Sequence, residues 1–190
     1  MNMEYELKFN ATPQVLETVR RELGGRWICY DMRTTYYDTP DRALSARKWT
    51  LRRRLENGVS VCTLKTPAGN ARREYQVICE TIAEGILELC KLGAPEELIS
   101  LTESGVLEVC GAAFTRFASR VELPDGAVEV ALDSGELFGG ENRQPLCELE
   151  VELKAGEPSV AADFALALAA NYSLAPESKS KFKRAMALAR

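Results

Sequence analysis

The chain has 190 residues, a formal net charge of −4 and a sequence pI of about 5.2. This length suits one domain with a proper core, and 46% hydrophobic with 27% charged residues is typical of a globular protein rather than a disordered one. The acidic balance argues against a general nucleic-acid-binding surface. The absence of histidine excludes a histidine-based triad and histidine-ligated zinc.

The six cysteines are scattered without a Cys-x-x-Cys pair, which favours buried, reduced thiols over a disulfide framework. No signal peptide is visible, and the longest apolar run, residues 164–170, is too short to cross a bilayer. We therefore expect a cytoplasmic protein that needs no membrane and no nucleic acid. The oligomeric state stays open.

The first predicted element is a strand at Glu4-Tyr5-Glu6-Leu7-Lys8, in which charged and apolar residues alternate. Thr12-Pro13 begins a helix that ends at Gly24-Gly25. A strand is predicted next, over residues 26–37. A hairpin over residues 48–66 turns at Asn57-Gly58.

The second half begins with a strand over residues 72–79, followed by a helical pattern from Thr81 to Gly111. Three more strands are predicted over residues 114–123, 127–133 and 146–154, and two helices over 157–170 and 178–190. About eight strands with helices in three places predict the α+β class. We expect one domain over residues 1–190.

Several of these strands carry one charged face and one apolar face. The polar residues at two-residue spacing are Glu4, Glu6, Lys8, Arg52, Arg54, Thr63, Lys65, Glu148, Glu150 and Glu152. One such face alone is usually the solvated side of an edge strand. Because the pattern recurs, we predict a closed eight-stranded antiparallel β-barrel, a tunnel with charged faces inside and flanking helices outside.

The same residues resemble the triphosphate tunnel metalloenzymes, also called the CYTH family. The matching motifs are Glu4-x-Glu6-x-Lys8, Tyr36-Tyr37-Asp38-Thr39-Pro40, Leu51-Arg52-x-Arg54, Thr63-x-Lys65, Arg73-Glu74-Tyr75, Leu132-Asp133-x-Gly135, Glu148-x-Glu150-x-Glu152 and Ser180-Lys181-x-x-Arg184. They run through the chain in family order. Within the family, the bacterial inorganic triphosphatases are the most similar members.

The resemblance implies a site for a small-molecule triphosphate, bound through charge-assisted hydrogen bonds. The implied substrate-binding residues are Lys8, Arg52, Arg54, Lys65, Arg73, Arg116, Arg120, Lys181 and Arg184, of which Lys8, Lys65 and Lys181 are also the candidate catalytic residues. We prefer Lys181 to Lys179 because Lys181 has the family spacing to Arg184. Arg116 and Arg120 share a strand face, and the sequence leaves open which of them faces the tunnel.

The resemblance also implies a Mg²⁺ or Mn²⁺ site, because glutamate and aspartate are the ligands that these ions prefer. The implied metal ligands are Glu4, Glu6, Asp133, Glu148 and Glu150, and Glu152 ranks lower. An alternative is that the glutamates only neutralise the tunnel arginines. Ala131 stands where some members carry a second acid, which leaves one or two metal ions open.

The implied reaction is metal-dependent hydrolysis of inorganic triphosphate (tripolyphosphate). Adenylate cyclase and thiamine or nucleoside triphosphatase activities are alternatives on the same fold. A non-catalytic polyphosphate-binding module is a further alternative, although a pure anion binder would gain from losing the glutamates. No Gly-x-x-x-x-Gly-Lys-Ser/Thr loop is present, so this is not a P-loop enzyme.

Overall fold

A computed structural model describes the backbone of residues 2–69 and 71–189 and the side chains of residues 5–69 and 72–189. The strands of this part are β1 (Asn2–Glu4), β2 (Glu6–Asn10), β3 (Ile28–Asp38), β4 (Thr50–Glu56), β5 (Val59–Ala68), β6 (Ala71–Ile78), β7 (Leu107–Leu123), β8 (Gly126–Gly139), β9 (Asn142–Ala155) and β10 (Ala175–Pro176). The helices are α1 (Pro13–Leu23), α2 (Ala43–Ala46), α3 (Ile82–Lys91), α4 (Glu97–Leu101), α5 (Pro158–Tyr172) and α6 (Lys181–Leu188).

The described strands form one antiparallel sheet in the order β1-β6-β5-β4-β3-β7-β8-β9-β2-β10. The predicted α+β architecture with flanking helices is therefore confirmed. The prediction of a closed eight-stranded barrel is wrong in strand number, and the hydrogen-bonded order has two ends. The N-terminal segment counts as two strands because it changes partner at Tyr5, from β6 to β9, and the short β10 adds another.

The predicted boundary between the second helical region and the strand that follows it was wrong. Residues 107–113 belong to β7, although alanine, leucine and glutamate there are good helix formers. Gly111 lies in this stretch because a Cβ would clash with the Phe138 ring and would come within 2.6 Å of the Thr34 carbonyl oxygen. The long antiparallel ladders with β3 and β8 therefore override local helix propensity.

The convex face of the sheet carries two apolar cores. One lies beneath α3 and α4, where Leu64, Leu89 and Leu98 are fully buried. The other lies beneath α1 and α5, where Val19 and Leu149 are fully buried. Burial on this face follows the apolar positions of the alternating strands, as the sequence predicts.

Helix α6 packs on the opposite, concave face. Its Ala185 is fully buried against a third cluster that contains Leu137 and Leu146. The partly buried Phe182 joins this cluster, and its ring centroid lies 5.1 Å from that of Tyr36. This helix begins at Ser180, whose hydroxyl accepts a hydrogen bond from the Lys183 amide.

The loop after β3 is held by a buried aspartate. The Asp38 carboxylate accepts hydrogen bonds from the amides of Leu44 and Ser45, at 3.0 and 3.2 Å. These bonds close the loop around α2, which the sequence did not predict. The Asp38-Thr39-Pro40 motif therefore fixes the residues that follow α2, including Lys48 and Trp49. No helix in the described part of the chain is long and apolar enough to span a membrane.

The close approach of α6 to the sheet gives a stability prediction. A Cβ on Gly139 would come within 2.5 Å of the Ala185 carbonyl oxygen and 2.7 Å of the Ala189 nitrogen. Because backbone must shift to relieve these contacts, Gly139→Ala is expected to lower the free energy of unfolding by about 1–3 kcal/mol in urea denaturation. Gly140→Asn is the control, since a Cβ there meets open space and asparagine tolerates its φ of +56°. Equal stability of Gly139→Ala and the parent protein would contradict the packing.

A charged cavity with an acidic triad

The concave face encloses a cavity of about 660 Å³, called here the large cavity. Seven strands and α6 contribute to it, because alternate residues of each strand point inward. Its lining includes Glu6, Lys8, Thr34, Tyr36, Lys48, Trp49, Thr50, Arg52, Arg54, Lys65, Arg72, Phe114, Arg116, Glu150, Glu152, Lys181 and Lys183. The charged faces recognised in the sequence therefore meet in one place.

Strand register explains the arrangement of the cations on one wall. Lys65 on β5 lies opposite Glu74 on β6, and the Lys65 ammonium is 3.0 Å from the Glu74 carboxylate. Arg52 approaches the same carboxylate at 3.9 Å. On β4, the guanidinium of Arg54 contacts Glu56, with the Nε–Oε1 distance at 2.7 Å. Burial and the neighbouring Arg52 lower the pKa of Arg54, the direction expected for crowded, desolvated cations.

The opposite wall holds three buried acids, Asp133, Glu148 and Glu150, which we call the acidic triad. Asp133 and Glu148 are directly paired residues of β8 and β9, and both are fully buried. Carboxylate oxygens of all three lie within 4.8 Å of one another. Such a group of oxygen donors could hold a divalent metal ion.

Three cations compensate the acidic triad. Arg116 donates to both oxygens of Asp133 at 2.7 Å and also contacts Glu150. Lys181 lies 2.7 Å from Asp133 and 2.8 Å from Glu150, and it contacts Glu148 as well. Arg184 contacts Glu148.

These contacts shift the pKa values of the buried groups. Burial alone would raise the pKa of Glu150, but Lys181 and Arg116 outweigh it and hold that pKa well below its usual range. Burial dominates at Glu148 and raises its pKa despite Lys181. Burial would lower the pKa of Lys181, yet the attraction of Asp133 and Glu150 raises it.

The structure brings most of the predicted site residues together. Glu6, Lys8, Arg52, Arg54, Lys65, Arg116, Glu150 and Lys181 line the large cavity. Asp133 and Glu148 lie behind this lining, in contact with Lys181, and Arg184 lies behind Glu148. The side chain of Glu4 is outside the described residues. The predicted roles of all these residues stay predictions.

Besides Arg184, two of the predicted arginines do not line the large cavity. Arg120 shares the face of Arg116 but lies beyond the cavity, 53% exposed and paired with Glu122. Arg73 is exposed on the outer face of β6. It shares this face with Tyr75, two residues along the strand, which is buried in the core beneath α3 and α4. The prediction that placed Arg73 in the tunnel was therefore wrong. Of Arg116 and Arg120, between which the sequence left the choice open, Arg116 lines the cavity.

Arg72 was missed by the sequence analysis. Its side chain lines the large cavity and donates a 2.9 Å hydrogen bond to the Lys48 carbonyl oxygen. The parity of β6 could have identified it: Arg72, Glu74 and Gln76 alternate with the apolar Tyr75 and Val77. Lys48 and Lys183, also missed, lie in loop and helix segments where strand parity gives no information.

A second cavity of about 530 Å³, the small cavity, adjoins the first. Both are lined by Arg52, Arg54, Arg116 and Glu152. The remaining charged lining of the small cavity is mostly acidic and consists of Glu56, Glu74, Glu129 and Lys154. The arginines therefore lie between a large cavity rich in cations and a small cavity rich in carboxylates.

An antiparallel sheet with a charged concave face and helices on both sides defines the class of this protein. The chain belongs to the CYTH family, since the model of the CYTH domain matches residues 2–186. It is 32% identical over 194 residues to an inorganic triphosphatase of Haemophilus influenzae, covering 97% of this chain and 54% of that protein. The chain thus spans about half the length of that relative.

Solved structures share the fold. A protein from Pyrococcus horikoshii OT3 is 23% identical with a TM-score of 0.64, covering 95% of this chain and 97% of that one. A Hippeastrum protein described as having a dominant triphosphatase activity is 15% identical with a TM-score of 0.62, covering 98% and 96% of the two chains. At these identities the comparison establishes the fold alone.

The two neighbouring arginines of β6 give a paired test of the cavity. Tripolyphosphate bound in the large cavity is expected to raise the melting temperature of the parent protein. Arg72→Ala should reduce this rise, because it removes a cation of the cavity and the hydrogen bond to the Lys48 carbonyl oxygen. Arg73→Ala should leave the rise unchanged, because that side chain is on the outer face. The same reduction in both variants would argue against anion binding in this cavity.

Proposed function

We propose that this domain hydrolyses inorganic triphosphate within the large cavity, with Mg²⁺ or Mn²⁺ as its metal. The observation that carries the proposal is the pairing of two walls in one cavity. One wall presents Arg52, Arg54 and Lys65, and the other presents Lys181 beside three buried carboxylates. In a protein that only bound anions, such carboxylates would lower the affinity for the anion, whereas a metal-dependent hydrolase needs them as metal ligands.

The cationic wall suits a chain of phosphates. Lys8, Arg52, Arg54 and Lys65 are half-buried, so their attraction to an anion is screened less than at an open surface. Guanidinium groups bind phosphate oxygens in forked geometry. Holding the chain at several points would orient its terminal phosphorus toward an attacking water.

The acidic wall suits the metal. Asp133, Glu148 and Glu150 offer the oxygen ligands. Glu150 and Glu6 line the large cavity, and Asp133 and Glu148 lie behind its lining. A bound Mg²⁺ or Mn²⁺ would supply charge stabilisation to the transferring phosphoryl group. The protein's own part is to bind the phosphate chain, orient it, and offset its charge through Arg116 and the cations of the opposite wall. No side-chain nucleophile is needed.

We further propose that the two cavities form one tunnel. Tyr5 alone separates β1, which pairs with β6, from β2, which pairs with β9. The N-terminal segment would thereby close the sheet without a continuous ladder. The lining shared by the two cavities supports this tunnel. The single-domain organisation and the cytoplasmic location stay predictions.

The direct test is release of phosphate and pyrophosphate from tripolyphosphate, ATP and thiamine triphosphate, each with Mg²⁺ and with Mn²⁺. We expect phosphate release from tripolyphosphate to be fastest, to vanish with excess chelator and to return with either metal. Cyclic nucleotide formation from ATP would favour a cyclase, and faster turnover of thiamine triphosphate would change the substrate. Full turnover of tripolyphosphate in chelator would contradict the metal requirement.

Glu150→Gln separates catalysis from binding. This change keeps the shape of the side chain but removes a charge from the acidic triad. Tripolyphosphate affinity in metal-free buffer should be retained or improved, because less negative charge faces the anion. The kcat with Mg²⁺ should fall by about 100-fold or more, the scale of losing a major electrostatic stabiliser.

Calorimetry without metal and steady-state kinetics with Mg²⁺ measure the two effects of Glu150→Gln. Glu122→Gln is the matched control, since Glu122 is 71% exposed and pairs with Arg120 outside both cavities. An unchanged kcat in Glu150→Gln would mean that this glutamate only balances the charge of its neighbours.

A further inference from the structure

The ammonium group of Lys181 has an unusual position at the acidic triad. It lies 2.7 Å from Asp133 Oδ2 and 2.8 Å from Glu150 Oε1, and it also contacts Glu148 Oε1. Arg116 contacts two of these acids, and Arg184 contacts Glu148. Of these three cations, Lys181 alone contacts an oxygen of each of the three carboxylates.

A metal held by the acidic triad would need the same space. Divalent ions such as Mg²⁺ bind carboxylate oxygens at about 2.0–2.1 Å, so an ion shared by these acids would lie among the atoms that now surround the Lys181 ammonium. The charge balance leads to the same conclusion. Three carboxylates face Lys181, Arg116 and Arg184, so a divalent cation would add two uncompensated positive charges to a buried group, and withdrawal of one of the three cations would halve that excess.

We propose that Lys181 occupies the metal position in the metal-free protein, and that metal binding moves its ammonium group into the large cavity. There it would become a ligand of the phosphate chain. The inference rests on the proposed function for the identity of that anion, but the exchange between lysine and metal does not depend on it.

Lys181 can make this movement where the two arginines cannot easily do so. It is the first residue of α6, its side chain already lines the large cavity, and its four-carbon stem is flexible. The helix itself can stay in place, because Ala185 is buried against the sheet and Arg184 contacts Glu148. Arg116, by contrast, is fixed by a two-point contact with Asp133.

The exchange would couple the two ligands. Metal would release a cation for the phosphate chain, and a phosphate chain that holds Lys181 away from the acids would favour metal binding. By linkage, each ligand would raise the affinity for the other by the same factor. Lys181 would thus neutralise the acidic triad in the metal-free protein and bind the substrate once metal is present.

The first experiment measures Mn²⁺ affinity by calorimetry on metal-free protein, with no phosphate compound present. Lys181→Met removes the competing charge but keeps the length of the side chain. We expect it to bind Mn²⁺ about tenfold or more tightly than the parent, within the usual range of coupling between ligands.

Lys183→Met is the matched control for Mn²⁺ affinity. It removes the same charge from the same helix, at an exposed residue of the large cavity. Its Mn²⁺ affinity is expected to stay within about twofold of the parent, since an exposed charge is screened by solvent. Equal or weaker Mn²⁺ binding by Lys181→Met would overturn the exchange, as would equal gains in both variants.

A second experiment uses the unmodified protein, in case Lys181→Met does not fold. An amine-acylating reagent is applied with and without Mn²⁺, and labelling of Lys181 is read by mass spectrometry. Labelling should increase severalfold with Mn²⁺, because the ammonium group leaves the carboxylates for the cavity. Unchanged labelling at saturating Mn²⁺ would overturn the proposal. If Mn²⁺ exchange is observed but tripolyphosphate is not hydrolysed, the proposed function fails and the exchange stands.

Discussion

The structure depends on compensation of charge on the concave face of its sheet. Asp133 and Glu148 have no exposed surface, and leaving one buried carboxylate without a partner would cost several kcal/mol. Arg116, Lys181 and Arg184 offset this cost through direct contacts. Two of the three cations belong to α6, so the helix that covers the concave face also neutralises the acids beneath it.

This arrangement explains why α6 begins with a lysine. A cation in the first turn of a helix is opposed by the helix dipole, which favours negative charge at that end. At Lys181 the three carboxylates outweigh this effect, and they raise its pKa despite burial. Apolar contacts of Phe182 and Ala185 then hold the rest of α6 against the sheet. Polar contacts of Lys181 and Arg184 and apolar contacts of Phe182 and Ala185 therefore fix the same helix, which keeps Lys181 beside the cavity.

Much of the site could be predicted because a strand has a period of two. Once a segment is known to be a strand, the face of one residue assigns the faces of its neighbours. This alternation placed Lys8, Arg52 and Lys65 correctly in the cavity. Arg73 was misplaced because its motif was matched by family resemblance, whereas the parity of Tyr75 would have placed it on the outer face. Strand order is a different problem: the change of partner at Tyr5 depends on β6 and β9, which are distant in sequence.

The chain has an acidic net charge, yet one wall of its large cavity is basic. The local arrangement of charged side chains decides this, and the total number of charges does not. A net charge of −4 describes the whole chain, whereas an anion in the large cavity meets only the charges within about a Debye length, roughly 8–10 Å. There, Lys65 and Arg52 share Glu74, and Lys181, Arg116 and Arg184 share the acidic triad. Which cations and carboxylates share a contact follows from strand register, so the field at the cavity centre depends on register and not on the composition of the chain alone.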